Sequence, residues 1–228
     1  MGGTDTIDLS NYDWNMVIDL NPGAVSEVGL GQERLHWDTR GSDSKTGDVF
    51  VLSWNTVIEK YIGSSGNDDV TLNTSVINDI STGAGDDVIR DVLPTDIVNA
   101  GAGADTVYIS YTTLDPDTVV NIDGGSETSD FDWIVCDLAP DTEKDFTLCR
   151  TAFVNFEGFD FTDNETQTIV LDSDDFVSIN SQTLSIKGDS TDEVVLPEGA
   201  TQTRSDDTYV YYSLNDVEIA ISDDMMIG

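Results

Sequence analysis

The chain has 228 residues, enough for one large or two modest domains with a real core. Nine basic against 45 acidic residues give a formal net charge of −36, which repels nucleic acid and anionic membrane surfaces and argues against both as direct partners. A hydrophobic fraction of 38% argues against disorder, and every apolar run is too short for direct membrane insertion.

Met1 is followed at once by Gly2-Gly3-Thr4-Asp5, which reads as a repeat cut in its middle rather than a signal peptide. The expectation is a piece of a longer protein. Apolar and polar residues alternate in Thr6-Ile7-Asp8-Leu9 and from Met16 to Leu20, predicting strands. Asn21-Pro22-Gly23 predicts a turn. Gly41 to Gly47 is polar and reads as an exposed loop before the strand Val49-Phe50-Val51-Leu52. Val57-Ile58 then leads into the first full repeat.

Three loops recur from Gly63 to Tyr108: GSSGNDDVT (63–71), TGAGDDVIR (82–90) and AGAGADTVY (100–108). Each fits the nonapeptide G-G-x-G-x-D-x-U-x, with U a large apolar residue, a pattern associated with calcium-binding β-helices. Position four is Gly66, Gly85 or Gly103, position six is Asp68, Asp87 or Asp105, and position eight is Val70, Ile89 or Val107. The aspartates are 19 and 18 residues apart, close to two nonapeptides. Asn78-Asp79-Ile80 and Asp96-Ile97-Val98 occupy the intervening phase but follow stretches without glycine. If one coil of a parallel β-roll uses two nonapeptides, the glycine-rich loops stack on one edge. Ile80, Ile89, Val98 and Val107 then point inward.

Asn121-Ile122-Asp123-Gly124-Gly125 resembles another repeat start, but Asp130 comes late, as if after an insertion. Residues 131–228 lack glycine repeats and read as short strands: Trp133 to Val135, Thr168 to Leu171, Thr183 to Ile186, Glu193 to Leu196, Thr208 to Tyr212 and Val217 to Ile221. A solenoid needs an atypical end to cover its open core. The predicted fold is therefore all-β: a parallel β-roll (an RTX solenoid) over 1–130, with a β-rich C-terminal cap over 131–228.

Calcium takes six to eight oxygens at about 2.3–2.6 Å in a flexible shell. Glycine lets backbone carbonyls converge because positive φ costs it little. Three stacked loops make two sandwiched sites. The plain alternative is glycine-rich turns with incidental aspartate, which three loops in phase disfavour.

These repeats, with GGTDTIDLS, IDLNPGAVSEVG and NTVIEKYIGSSGND, resemble the C-terminal calcium-binding domain of serralysin-type metalloproteases and related RTX proteins. The matching stretches lie within residues 2–107. More loosely, NFEGFDFTDNETQTIVLDSDDFVSI and LSIKGDSTDEVVL look like the end region of large RTX adhesins exported by type I secretion. The resemblance implies that one loop offers carbonyls from positions one and three and a position-five side chain, and the next offers positions two, four and six. The first Ca2+ site would then use Gly63, Ser65 and Asn67 with Gly83, Gly85 and Asp87. The second would use Thr82, Ala84 and Asp86 with Gly101, Gly103 and Asp105. Ala104 has no side-chain oxygen, so the ladder would end there. Asp68 is the position-six residue of the first loop. A further site near the opening motif would use Gly2, Gly3, Asp5 and Asp8, with Glu59 as partner.

A serralysin protease needs a zinc-binding H-E-x-x-H helix. The chain's one histidine is His36, so that centre is excluded, and nothing marks a nucleophile for a triad. Acidic pairs such as Asp174-Asp175 and Asp223-Asp224 are common by chance among 45 acids. No enzymatic activity is expected. Cys136 and Cys149 are compatible with a disulfide or with two free thiols. Trp14, Trp37, Trp54, Trp133 and the C-terminal tyrosines suit core packing or a glycan-binding platform.

The expectation is a calcium-binding module of a type I-secreted, extracellular protein of a Gram-negative bacterium, part of a large adhesin or surface protein. The alternative is the non-catalytic tail of a secreted protease or lipase. Its partners would be calcium ions, the type I secretion machinery during export, and a cell-surface or glycan ligand.

Overall fold

The computed structural model describes residues 3–30, 48–111, 121–125, 130–138, 145–147, 153–162, 166–171, 183–214 and 216–228. Gly2, His36, Trp37, the 41–47 loop and Cys149 lie outside them. The described residues form strands and turns, with no helix among them.

Four strands open the chain: β1 (Thr6–Asp8), β2 (Asn15–Asp19), β3 (Val25–Leu30) and β4 (Asp48–Val51). The repeats supply β5 (Lys60–Ile62), β6 (Asp68–Thr71), β7 (Asp79–Ala84), β8 (Val88–Val92), β9 (Ile97–Ala102) and β10 (Thr106–Tyr111). Next come β11 (Asn121–Asp123), β12 (Trp133–Leu138), β13 (Asp145–Thr147), β14 (Phe153–Val154), β15 (Gly158–Asp160) and β16 (Thr168–Val170). The chain closes with β17 (Thr183–Lys187), β18 (Glu193–Val195), β19 (Thr201–Ser205), β20 (Tyr209–Leu214), β21 (Val217–Ser222) and β22 (Met226–Ile227).

These strands make three sheets, and most pairings are parallel. The first runs β1-β5-β7-β9-β11-β14, and the third β13-β16-β18-β22. The second runs β19-β20-β21-β17-β15-β12-β10-β8-β6-β2-β3-β4, antiparallel only among β2, β3 and β4 at one end and β19, β20 and β21 at the other. From β5 to β12 the chain changes between the first and second sheets at every connection. Alternate connections therefore lie on the same edge. The glycine-rich loops share one edge, and the turns before Asp79 and Ile97 share the other.

In the parallel strands of the repeats, the period-two pattern points one side chain in two inward. In the first sheet Ile7, Tyr61, Ile80, Val98, Ile122 and Phe153 align strand upon strand. In the second, Ile18, Val70, Ile89, Val107, Ile134, Phe159, Ile186 and Ile221 do the same. Ile80, Ile89, Val98 and Val107, the expected inward residues, are all buried. Burying each such side chain contributes about 1.5–3 kcal/mol. Each parallel strand thus continues the core of the strand beside it. This continuity crosses residue 130, where β12 pairs with β10 from Thr106↔Trp133 to Tyr111↔Leu138.

Candidate functional site

The glycine-rich loops touch backbone to backbone. Gly83 and Gly101 have φ of 114° and 109°, values that side chains disfavour. A Cβ on Gly83 would overlap the Ser64 carbonyl oxygen, and one on Gly101 would overlap that of Gly83. Carbonyl oxygens consequently crowd the two gaps. Between the first and second loops lie those of Ser64, Gly66 and Thr82. Between the second and third lie those of Gly83 and Gly85, with Ala100 O accepting from the Thr82 hydroxyl and Ala102 O from the Gly85 amide.

The side chains enter the same gaps in pairs. Asn67 Oδ1 accepts the Asp86 N–H at 3.1 Å, and Asp87 Oδ1 accepts the Asp68 N–H at 2.7 Å, so both lie between loops one and two. Asp86 Oδ1 accepts from the Ala104 N–H at 3.0 Å and Asp105 Oδ1 from the Asp87 N–H at 2.8 Å, placing both between loops two and three. Asn67 is thus beside Asp87, and Asp86 beside Asp105, the side-chain pairs drawn from the family resemblance. The carbonyls differ from that scheme. It gave Gly83 and Gly85 to the first gap, whereas their oxygens face the third loop. The reason is the β7–β9 pairing, which runs on through Gly83↔Gly101 and Ala84↔Ala102. Successive carbonyls of an extended strand point to opposite neighbours, so this register decides which gap each one faces.

The edge carries a column of buried carboxyl groups. Asp68, Asp87, Asp105, Asp132 and Glu157 are buried, and each of the last four accepts the backbone N–H of the acid before it. Burial, with the charges of Asp105 and Asp68 nearby, pushes the Asp87 carboxyl up to about 8. Burial likewise pushes Asp132 up to about 7, helped by the charges of Asp105, Glu157 and Asp130. Glu157 is raised by burial too. Asp87 Oδ2 meets no hydrogen-bond donor among the described residues. The nearby Thr82 hydroxyl opposes the upward shift of Asp87, but its geometric hydrogen bond is to Ala100 O at 2.6 Å. Such an oxygen costs free energy unless a proton or a cation satisfies it. Backbone carbonyls, an amide oxygen and this carboxylate make a hard oxygen donor set suited to a calcium-like cation.

Asp132 and Glu157 were not among the residues singled out in the sequence. Asp130 appeared to be the displaced repeat aspartate, but Asp132 occupies the column and Trp133 pairs with Thr106. The usable signal was an acid two residues before an inward apolar residue: Asp87 before Ile89, Asp105 before Val107, Asp132 before Ile134 and Glu157 before Phe159. Asn15 was also missed. Its Oδ1 accepts the Asn67 N–H at 3.0 Å, starting the position-five ladder one coil earlier.

Asp68 is held differently from Asp87. Its Oδ2 accepts from the Tyr61 hydroxyl and the Ser64 N–H, and its Oδ1 from the Ser64 hydroxyl, all at 3.0 Å. Gly63 packs against Thr82 O, and Ser65 donates its amide to Tyr12 O at 3.1 Å. At the opening motif, Glu59 accepts the Asp5 N–H at 2.8 Å, so those two residues do meet. Asp8 instead caps Ser10, accepting its N–H and hydroxyl, and these bonds hold its carboxyl below the usual range. Gly3 has open space where a Cβ would stand.

Elsewhere, several aromatic faces are already covered. Lys187 Nζ lies 3.6 Å from the Trp133 ring centre and the Arg204 guanidinium 3.3 Å from that of Tyr211. Trp14 packs partly into the core, while Trp54 is 82% exposed. Cys136 is buried. Among the described residues, no three His, Cys, Asp or Glu side chains converge as a metal-binding group. A cation at the loops would be held chiefly by backbone oxygens. No family model and no curated protein matches the chain.

Proposed function

We propose that this chain is an RTX-like calcium-binding module whose glycine-rich loops are stacked turns of a parallel β-roll. One Ca2+ would lie between loops 63–68 and 82–87, held by Asn67, Asp87 and the carbonyls of Ser64, Gly66 and Thr82. Another would lie between loops 82–87 and 100–105, held by Asp86, Asp105 and the carbonyls of Gly83, Gly85, Ala100 and Ala102. The ions supply positive charge to a buried anionic edge. The chain supplies oxygens pre-aligned by sheet register and excludes water through its packed Ile and Val ladders.

The observation that carries this reading is Asp87 Oδ2, a buried carboxylate oxygen without a donor beside converging carbonyls. Because a cation binds only the folded loops, it stabilises them by mass action. At low calcium the charge of −36 opposes compaction. Millimolar calcium outside the cell would complete folding after type I export, as the family resemblance suggests. The resemblance also supports the parent being an adhesin or other surface protein, without catalysis in this region. Calorimetric titration of chelator-treated protein with calcium tests the reading. At least two ions per chain are expected, and absence of binding at millimolar calcium would overturn it.

A further inference from the structure

The three loops look alike in sequence, yet the first carries an internal fastening built from side chains that the other two lack. Ser64 donates both its amide and its hydroxyl to Asp68, and its hydroxyl also accepts from the Gly66 amide at 3.0 Å. Tyr61, buried in the preceding strand of the same coil, donates its hydroxyl to Asp68. The other loops cannot copy this arrangement. Tyr61 is aligned with Ile80 and Val98, and the Ser64 position is occupied by Gly83 and Gly101. In those loops Asp86, Asp87 and Asp105 accept amide hydrogens from a neighbouring loop. The first loop is further tied to the entry to β2 through Ser65 N–H to Tyr12 O, and the one hydrogen of the Ser64 hydroxyl is shared between Asp68 Oδ1 at 3.0 Å and Trp14 O at 2.8 Å.

From these contacts we infer that Tyr61, Ser64 and Asp68 form an ion-independent clamp that keeps the first loop folded without calcium and serves as the template on which the second and third loops stack. This inference rests on the calcium reading above and adds an order to it. Asp68 is then a positioning residue: both its oxygens are taken by protein donors, whereas Asp87 retains an oxygen for the ion. Assembly proceeds from loop 63–68 toward loop 100–105: at position five each loop supplies the acceptor for an amide of the next, while at position six the aspartate of each added loop accepts the amide of the loop before it.

Amide hydrogen exchange followed by NMR on the whole chain in excess EGTA tests this. The Ser64 and Gly66 amides are expected to exchange at least about tenfold more slowly than those of Asp86 and Ala104, with calcium slowing the latter pair. A hydrogen bond to a charged group is worth about a factor of ten or more, so Tyr61→Phe should speed exchange at Ser64 by about tenfold in EGTA. If that variant does not fold, Ser64→Ala removes the hydroxyl bond from the other side. Asp68→Asn should leave the number of bound calcium ions unchanged, whereas Asp87→Asn should lose one. Equal exchange in all three loops in EGTA, or loss of an ion in Asp68→Asn, would overturn the clamp. If the wild-type chain binds no calcium, the ion sites fail, while the exchange comparison in EGTA still decides the clamp.

Discussion

Asp87 has one carboxylate oxygen with a donor and one without, and this asymmetry makes its two charge states opposite in effect. On the proposed reading, the buried charge is a cost without calcium and would become a ligand with it. Asp87→Asn keeps an acceptor for the Asp68 amide while removing the charge. In EGTA the substitution should therefore be neutral or stabilising in urea unfolding. In saturating calcium it should remove about 2.7 kcal/mol if the lost site was filled at about 100 times its Kd. The same sign in both buffers would contradict this role. The pH dependence follows from the raised carboxyls. Asp87 is pushed up to about 8, far above the ~4 of an unfolded aspartate. Between those values the folded, calcium-free protein holds a proton that the unfolded chain has released. The contribution of Asp87 to stability in EGTA should accordingly be greatest below about pH 4, fall as pH rises and level off above about 8. Calcium should expel that proton, so calorimetry near pH 6 in buffers of different ionisation enthalpy should detect proton release. Asp132, at about 7, acts in the same direction.

At the scale of the strand and loop, contact distance between coils is the controlling quantity. Gly101→Ala places a methyl group on the Gly83 carbonyl oxygen and in a disfavoured φ. It should cost several kcal/mol by the strain involved and abolish binding between loops two and three, as read by calcium titration and thermal unfolding. Ile89→Ala, in the middle of the second sheet's ladder, should cost about 2–5 kcal/mol in any buffer, since its effect is on packing rather than on the ion. The loops and inward ladder were legible in the sequence because a two-nonapeptide period places Asp87 and Ile89 at the same phase as Asp105 and Val107. The continuation through Asp132 and Glu157 was not, because the spacing after Asp105 changes: Asp132 follows Gly124-Gly125 late, and no glycine precedes Glu157 in its turn. Carbonyl direction was illegible for another reason: it depends on sheet register, here Gly83↔Gly101, which no single loop encodes. The short strands β13, β14 and β22 carry too few residues for a period-two pattern to emerge.

Across the whole molecule, the second sheet links the repeats to the C-terminal half through one parallel core, from Ile18 to Ile221. Its two ends finish in antiparallel strands, β3 and β4 at one end and β19 and β20 at the other. Order created at the loops can therefore spread along a continuous ladder, while a net charge of −36 opposes the same compaction. On the proposed reading, those opposing terms leave calcium to decide the balance. Far-UV circular dichroism of the whole chain in excess EGTA and then in 10 mM calcium (about the millimolar range proposed above) measures this directly. The account predicts a weak β signal in EGTA that grows on adding calcium, together with a higher unfolding midpoint. Identical, folded spectra and equal midpoints in the two buffers would contradict it.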